Sequence, residues 1–469
     1  MATFGVIVSN RTFFPAHLVR TARTELLRKL GEWGHTVITL SDEDTSMGQT
    51  MTYDEARKCA ALFRIHADVL DGIIVCLPNF GEETGVADAI RLSKLDLPIL
   101  IQACDDDFDK LQLENRRDAF CGKLSLCNNL YQYGIPYTLT QKHTCAIDSA
   151  IFTEDVRCFA AVCTIVKTLR TARIAQIGAR VTPFRTVRYS EKLLQQAGIT
   201  VETEDFSEIL ADIAVFGEKD EPRIAAKIDE IRAYGHIATG INEEKLYKQA
   251  KLCLAIEDWM DSHHCIASAI QCWDSVENNY GCAMCLAMSM MGEKGHPSAC
   301  ETDVMGAVSM LALLKASGKP PLYQDWNNNY RDEPDKCINV HCSNYPASVF
   351  TEKPEIANLD ILATTLGEDV SFGALKGRVA PGHMTYLKIT TDDKNGKIKC
   401  YLGEAAFTDD PLSTFGGVAV CRVPRLNDLM RYLTLNGYEH HVALVHDEVA
   451  NILEEALGNY MGWEVYRHQ

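Results

Sequence analysis

Gly72-Ile73-Ile74-Val75-Cys76-Leu77 is an apolar run in which no polar side chain marks a solvent face. A run this short, rich in β-branched residues, reads as a strand buried on both sides, the environment of a parallel sheet covered by helices. Working outward, residues 4–8, 36–40 and 98–102 repeat the pattern, and residues 17–33 and 53–66 between them carry helical periodicity. Alternation of this kind predicts a doubly wound, Rossmann-like α/β domain over residues 1–165.

Residues 173–178 open a second unit of the same kind, predicted over 166–325. Its helices are expected at 224–234 and 243–273, the latter with a break, and a short strand at 298–301 runs into an apolar helix at 304–315. The last third changes character. Residues 338–341, 383–390, 397–402 and 417–422 alternate like antiparallel strands, with turn chemistry at 392–396 and helices at 426–435 and 447–460. The expected fold class is α/β: two doubly wound parallel-sheet domains, then a mixed, largely antiparallel β domain over 326–469.

A chain of 469 residues exceeds what one hydrophobic core usually serves. Its net charge of -18 argues against nucleic acid as a partner, which needs a basic footprint. The opening residues read as a strand rather than an export signal, which places the protein in the cytoplasm. The longest apolar stretches, 158–166 and 282–291, fall short of the ~18 residues of a membrane span. The 18 cysteines are then expected to be reduced thiols. Cys282 and Cys285 form a CxxC, but inside an apolar helical run they read as buried structural thiols. Residues 81–85 bear glycine without the GxGxxG spacing of a nucleotide site.

Cys300-Glu301-Thr302-Asp303 is the sharpest local signal, because it joins a short strand to an apolar helix. Ligands of open α/β sheets bind at such strand ends, where Glu301 falls, whereas Asp303 is placed to cap the helix. Asp325 ends another short apolar run, His341 ends a predicted strand, and the pair His440-His441 precedes one. Taken singly, each has an ordinary structural explanation as a cap, a turn or a satisfied histidine. Together, carboxylates with imidazole suit Mn²⁺ or Mg²⁺ better than a thiolate-preferring ion. A divalent ion chelated by two sugar oxygens, with two carboxylates relaying a proton, is the equipment that aldose–ketose interconversion requires.

Several segments in order then resemble the L-fucose/L-arabinose isomerase superfamily, especially the C-terminal part of fucose isomerase-like proteins. They are Gln271-Cys272-Trp273, Gly281 and Cys285, Ala299-Cys300-Glu301-Thr302-Asp303-Val304 with Gly306, Asp325-Trp326, and Val340-His341-Cys342. Pro381-Gly382-His383-Met384-Thr385-Tyr386, Thr414-Phe415-Gly416-Gly417 and Asn436-Gly437-Tyr438-Glu439-His440-His441-Val442 complete the series. The resemblance implies that Glu301 and Asp325 are both catalytic acid/base residues and metal ligands. It implies His440 as the third ligand, with His441 beside it as the alternative, and His341 as a further ligand or supporting group. Arg11, Asn436, Gln271 and Trp273 resemble sugar-contacting positions. The implied activity is a divalent-metal-dependent isomerase acting through a cis-enediolate. The implied assembly is a homo-oligomer in which a neighbouring subunit, through Arg11, completes each active site. The substrate is a fucose- or arabinose-like sugar or sulfoquinovose, whose sulfonate requires a cationic pocket; Arg11, Arg185, Arg188 and Arg331 are the candidates. A non-catalytic cytosolic sugar-binding protein and a metal-dependent hydrolase are the competing readings.

Overall fold

The structure is a computed structural model that describes residues 1–469. Internal packing divides the chain into two compact units, Met1–Lys167 with Glu455–Gly462, and Thr168–Glu454 with Trp463–Gln469.

The first unit is built on a parallel sheet in which Thr36–Ile38, Thr3–Ser9, Gly72–Leu77, Ile99–Ala103 and Thr138–Leu139 lie side by side. All six residues of Gly72–Leu77 are buried, as an unmarked apolar run requires. Successive side chains feed opposite cores: Ile73 and Val75 pack with Phe63 and Leu126, while Ile74 and Cys76 pack with Leu26 and Phe159. Helices Ala16–Glu32 and Tyr53–Ile65 fall where periodicity predicted them, and Thr52 and Glu55 form a capping box on the second. Tyr460 belongs to this unit, its hydroxyl 3.2 Å from both the N and the O of Ile99.

The second unit holds two sheets. One is parallel, in the order Ser298–Ala299, Ala267–Ile270, Arg173–Ile177, Thr200–Glu204. The other is mixed and largely antiparallel, with Gly382–Asp392 and Lys397–Phe407 as its long central hairpin. The expected fold class therefore holds. One strand crosses the expected partition: His236–Ile237 pairs in parallel with Glu355–Asn358 at the edge of the mixed sheet.

Two local expectations are corrected. The helix expected to run, with a break, to residue 273 ends at Ser262, and Ala267–Ile270 is a strand. Its four residues are fully buried between parallel neighbours, so tertiary pairing overrides local helical preference. The helix expected over 447–460 is a short α-helix, Ala450–Glu454, that continues as π-helix over Glu455–Tyr460. No helix is long and apolar enough to cross a membrane.

Candidate metal centre

In the parallel sheet, the C-terminal end of each of three adjacent strands delivers a piece of the site. Glu301 follows Ser298–Ala299, Cys272 and Trp273 follow Ala267–Ile270, and the loop carrying Phe184 follows Arg173–Ile177. Glu301 and Thr302 both adopt left-handed backbone, with φ of 54° and 53°. For residues with a Cβ that conformation costs about 1–2 kcal/mol each, so the surrounding fold must enforce it. The strained turn aims Glu301 inward and leaves Asp303 at the N-cap of helix Val304–Ser317, accepting from the amide of Gly306 at 2.8 Å.

The mixed sheet supplies the rest. Strands Leu322–Asp325 and His441–Val445 are antiparallel with Asp325 directly opposite His441, and His341 ends the strand Lys336–His341. His441 Nε2 lies 3.6 Å from Glu301 Oε2 and 3.5 Å from Asp325 Oδ1. His341 Nε2 lies 3.7 and 4.0 Å from the same two oxygens. Both carboxylate oxygens are buried without a hydrogen-bond partner. Orphaned acceptors of that kind are costly, and 3.5–4.0 Å is too long for a hydrogen bond yet suits donors around one shared cation. The donor set, two carboxylates and two imidazoles, fits a divalent ion.

Buried partners fix the orientation of His441. Its Nδ1 lies 3.0 Å from Asp303 Oδ2, and Asp303 also accepts from Lys388 Nζ at 2.5 Å and from the hydroxyl of Tyr323. Burial alone would raise the Asp303 carboxyl, but Lys388 and His441 outweigh it and hold it well below the usual carboxylate range. An ionised Asp303 only accepts, so Nδ1 donates to it and Nε2 is the nitrogen directed at the site. His440 differs. Its Nε2 is 3.7 Å from Asp325 Oδ1, but its side chain is 40% exposed against 1% for His441. Glu301 is likewise ionised: burial pushes its carboxyl up, but His341 and His441 overcome this and bring it down to about 2. Burial lowers His341, and Asp325 and Glu301 more than reverse that, raising it to about 9. A cation entering here displaces that proton.

Around the cluster lies a cavity of about 380 Å³, walled by Phe184, Trp273, Leu359, Ile361 and Leu362. Trp273 Nε1 donates to Glu301 Oε1 at 3.1 Å, and Cys272 Sγ donates to the same oxygen at 3.3 Å. Phe184 meets Trp273 edge-on at 5.5 Å and lies 5.7 Å from His441. Of the positions singled out in the sequence, Glu301, Asp325, His341, His441, His440 and Trp273 come together. Gln271 is turned to the backbone, accepting from the amide of Ala179 at 2.9 Å. Asn436 donates to the carbonyl of Tyr432 and lines a separate polar cleft with Arg185 and Arg188. Arg331 lies over the Tyr330 ring at 5.2 Å. Arg11 belongs to the first unit, where it pairs with Glu83 and donates to the carbonyl of Gly81. Asp303 as the orienting partner of His441, the buried pair Lys388–Tyr323 and the wall residue Phe184 were not identified from sequence. The spacing Glu301-x-Asp303 was the available signal for the first.

Residues 5–170 match the family model for the fucose/sulfoquinovose isomerase N-terminal domain, and residues 339–469 match that for the L-fucose isomerase C-terminal domain. The chain is 25% identical over 310 residues to proteins named sulfoquinovose isomerase from Priestia aryabhattai and Priestia megaterium, covering 64% of this chain. It is 28% identical over 210 residues to one from Alkalicoccus urumqiensis, covering 44% of this chain and 45% of that one. The match spans 65% of the length of the two Priestia relatives. His341, His440 and His441 lie inside the C-terminal match, whereas Glu301 and Asp325 fall between the two matched segments.

Proposed function

We propose, for a chain that belongs to the fucose/sulfoquinovose isomerase family, that it interconverts an aldose and a ketose at the cluster of Glu301, Asp325, His341 and His441. The observation that carries this reading is the pair of orphaned oxygens, Glu301 Oε2 and Asp325 Oδ1, facing two imidazole nitrogens across 3.5–4.0 Å.

A divalent ion of the Mn²⁺ or Mg²⁺ class, held by Glu301, Asp325 and His441 with His341 alongside, would polarise the sugar carbonyl and steady the charge that develops on its oxygens. The protein's own groups do the remainder. Glu301 and Asp325 take a proton from one of the two reacting carbons and return it to the other, while the hydroxyl proton passes from the oxygen of the first carbon to that of the second. Trp273 and Cys272 anchor the outer oxygen Oε1 of Glu301, leaving Oε2 to face the substrate. Asp303 keeps the proton on Nδ1 of His441, so that Nε2 stays a lone-pair donor. Phe184, Trp273 and Leu362 wall the cavity with apolar surface and limit water, which strengthens the carboxylate–substrate interactions.

His441 is preferred to His440 as the imidazole ligand, because it is buried, oriented by Asp303 and opposite both carboxylates. Sulfoquinovose is the first sugar to test, given the names of the relatives. The resemblance further supports a cytoplasmic homo-oligomer in which Arg11 of a neighbouring copy reaches the sugar.

The experiment strips the protein of metal, restores Mn²⁺ and incubates it in D₂O with sulfoquinovose, L-fucose, D-arabinose, L-arabinose and L-rhamnose. The expected result is a ketose carrying deuterium at the exchanged carbon. Failure of every sugar with bound Mn²⁺ verified removes the isomerase reading.

A further inference from the structure

Glu301 has two faces. Oε2 looks toward the imidazoles, while Oε1 looks toward sulfur. Cys272 and Cys300 follow neighbouring parallel strands, Ala267–Ile270 and Ser298–Ala299, paired through Ala269 and Ala299. That pairing brings the two thiol sulfurs and a Glu301 oxygen within 4.8 Å of one another. Cys272 Sγ donates to Glu301 Oε1 at 3.3 Å, and Cys300 Sγ lies 3.9 Å from Nδ1 of His341. Both cysteines are free thiols, and both are buried. Cys272 nevertheless lines the cavity, which gives an entering ion a path to the pair.

Two sulfurs and a carboxylate oxygen gathered this closely are a donor set that a tetrahedral cation can draw on, and the set is wrong for the ion that the imidazole side favours. Thiolates select borderline and soft cations such as Zn²⁺, whereas Mn²⁺ and Mg²⁺ prefer oxygen. We propose that Cys272, Cys300 and Glu301 form a second cation site, specific for a thiophilic divalent ion such as Zn²⁺. Binding replaces each S–H bond with an S–metal bond and releases two protons to solvent; Glu301 contributes Oε1, and a water completes the set. Because Oε2 remains directed at the imidazoles, Glu301 then bridges two cations. A carboxylate so engaged is a poor proton acceptor, so Zn²⁺ loading silences the isomerase; the bridging and this consequence rest on the proposed function, whereas the sulfur site does not.

Sulfur ligation is read without any activity measurement. Reduced protein is preloaded with Mn²⁺, given one equivalent of Zn²⁺ and examined by X-ray absorption at the zinc edge. A parallel sample receives Co²⁺ and is followed by its thiolate charge-transfer absorption. The expected result is a zinc shell with two sulfurs at about 2.3 Å, and a cobalt band that falls at least fivefold in both Cys272→Ser and Cys300→Ser. Cys337→Ser, at another buried thiol, should leave that band intact. An oxygen and nitrogen shell without sulfur overturns the proposal. So does a cobalt band of full intensity in both serine variants. If one variant fails to fold, the zinc shell of the wild-type protein and the other variant still decide. A protein that declines Mn²⁺ but shows the sulfur shell sinks the hard-ion reading and leaves this one standing.

Discussion

Asp303→Asn is the substitution whose effect follows most directly from the structure. The two side chains are nearly isosteric, so the cap to Gly306 keeps an acceptor and what disappears is charge. Lys388, fully buried with its Nζ 2.5 Å from Asp303, then has no carboxylate in contact. Removing one partner of a buried ion pair costs about 3–5 kcal/mol. The expected loss is therefore about 3–5 kcal/mol, read from urea unfolding of the metal-free protein at pH 7. Lys388→Met in the Asp303→Asn background should return at least half of it, since the offending group is then gone. Divalent-ion affinity should fall about 10–100-fold, because His441 loses the partner that fixes its tautomer. A loss under about 1 kcal/mol with unchanged Mn²⁺ affinity would refute the reasoning.

Glu277 is 1% exposed, neither carboxylate oxygen has a hydrogen-bond partner, and burial pushes its pKa up to about 8 from 4.5. A folded carboxyl with a raised pKa holds its proton after the unfolded chain has lost it, so the contribution of Glu277 to stability is greatest below pH 4.5 and falls up to pH 8. Glu277→Gln should flatten that decline, by up to about 4–5 kcal/mol over the window, and a pH series of urea midpoints that is parallel for both proteins would contradict it. At Gly306 an added Cβ would sit 2.1 Å from the hydroxyl of Tyr323. Gly306→Ala should cost about 1–3 kcal/mol by thermal unfolding, while Gly31→Ala, where a Cβ meets nothing within 4 Å, should be neutral or stabilising. Finally, His441→Gln should reduce Mn²⁺ affinity at least tenfold and His440→Gln less than threefold, as measured by competition with a fluorescent chelator; the reverse order would reassign the ligand.

The parallel sheets were legible because strands buried on both faces leave unbroken apolar runs such as Gly72–Leu77, and the carboxylates because they end such runs. The same property hid the difference between His440 and His441. Every residue of His441–Val445 is buried, so no alternation of polar and apolar side chains marks which way each imidazole points. Pairing with Leu322–Asp325 decides it, and that register is a tertiary fact. Lys388 gave no signal either: it lies within a strand, and its burial against Asp303 depends on the N-cap of helix Val304–Ser317 packing there. Phe184 sits outside any regular element, where periodicity has nothing to say. Gln271 and Asn436 show the converse: each falls in a segment that resembles the family, and each spends its amide on a backbone group.

The donors come from four separate stretches of chain, and Asp303 lies 138 positions from His441, the donor it orients. A centre built this way has no local precursor. An unfolded or half-made chain presents its histidines and carboxylates too far apart to chelate, unlike a CxxC knuckle, which grips an ion before the fold exists. Loading is therefore confined to the end of folding, when the parallel and mixed sheets of the second unit have met. Any cation that binds there favours the finished state over every earlier one, so that during synthesis the ion acts as an inspector of the product and takes no part in its assembly.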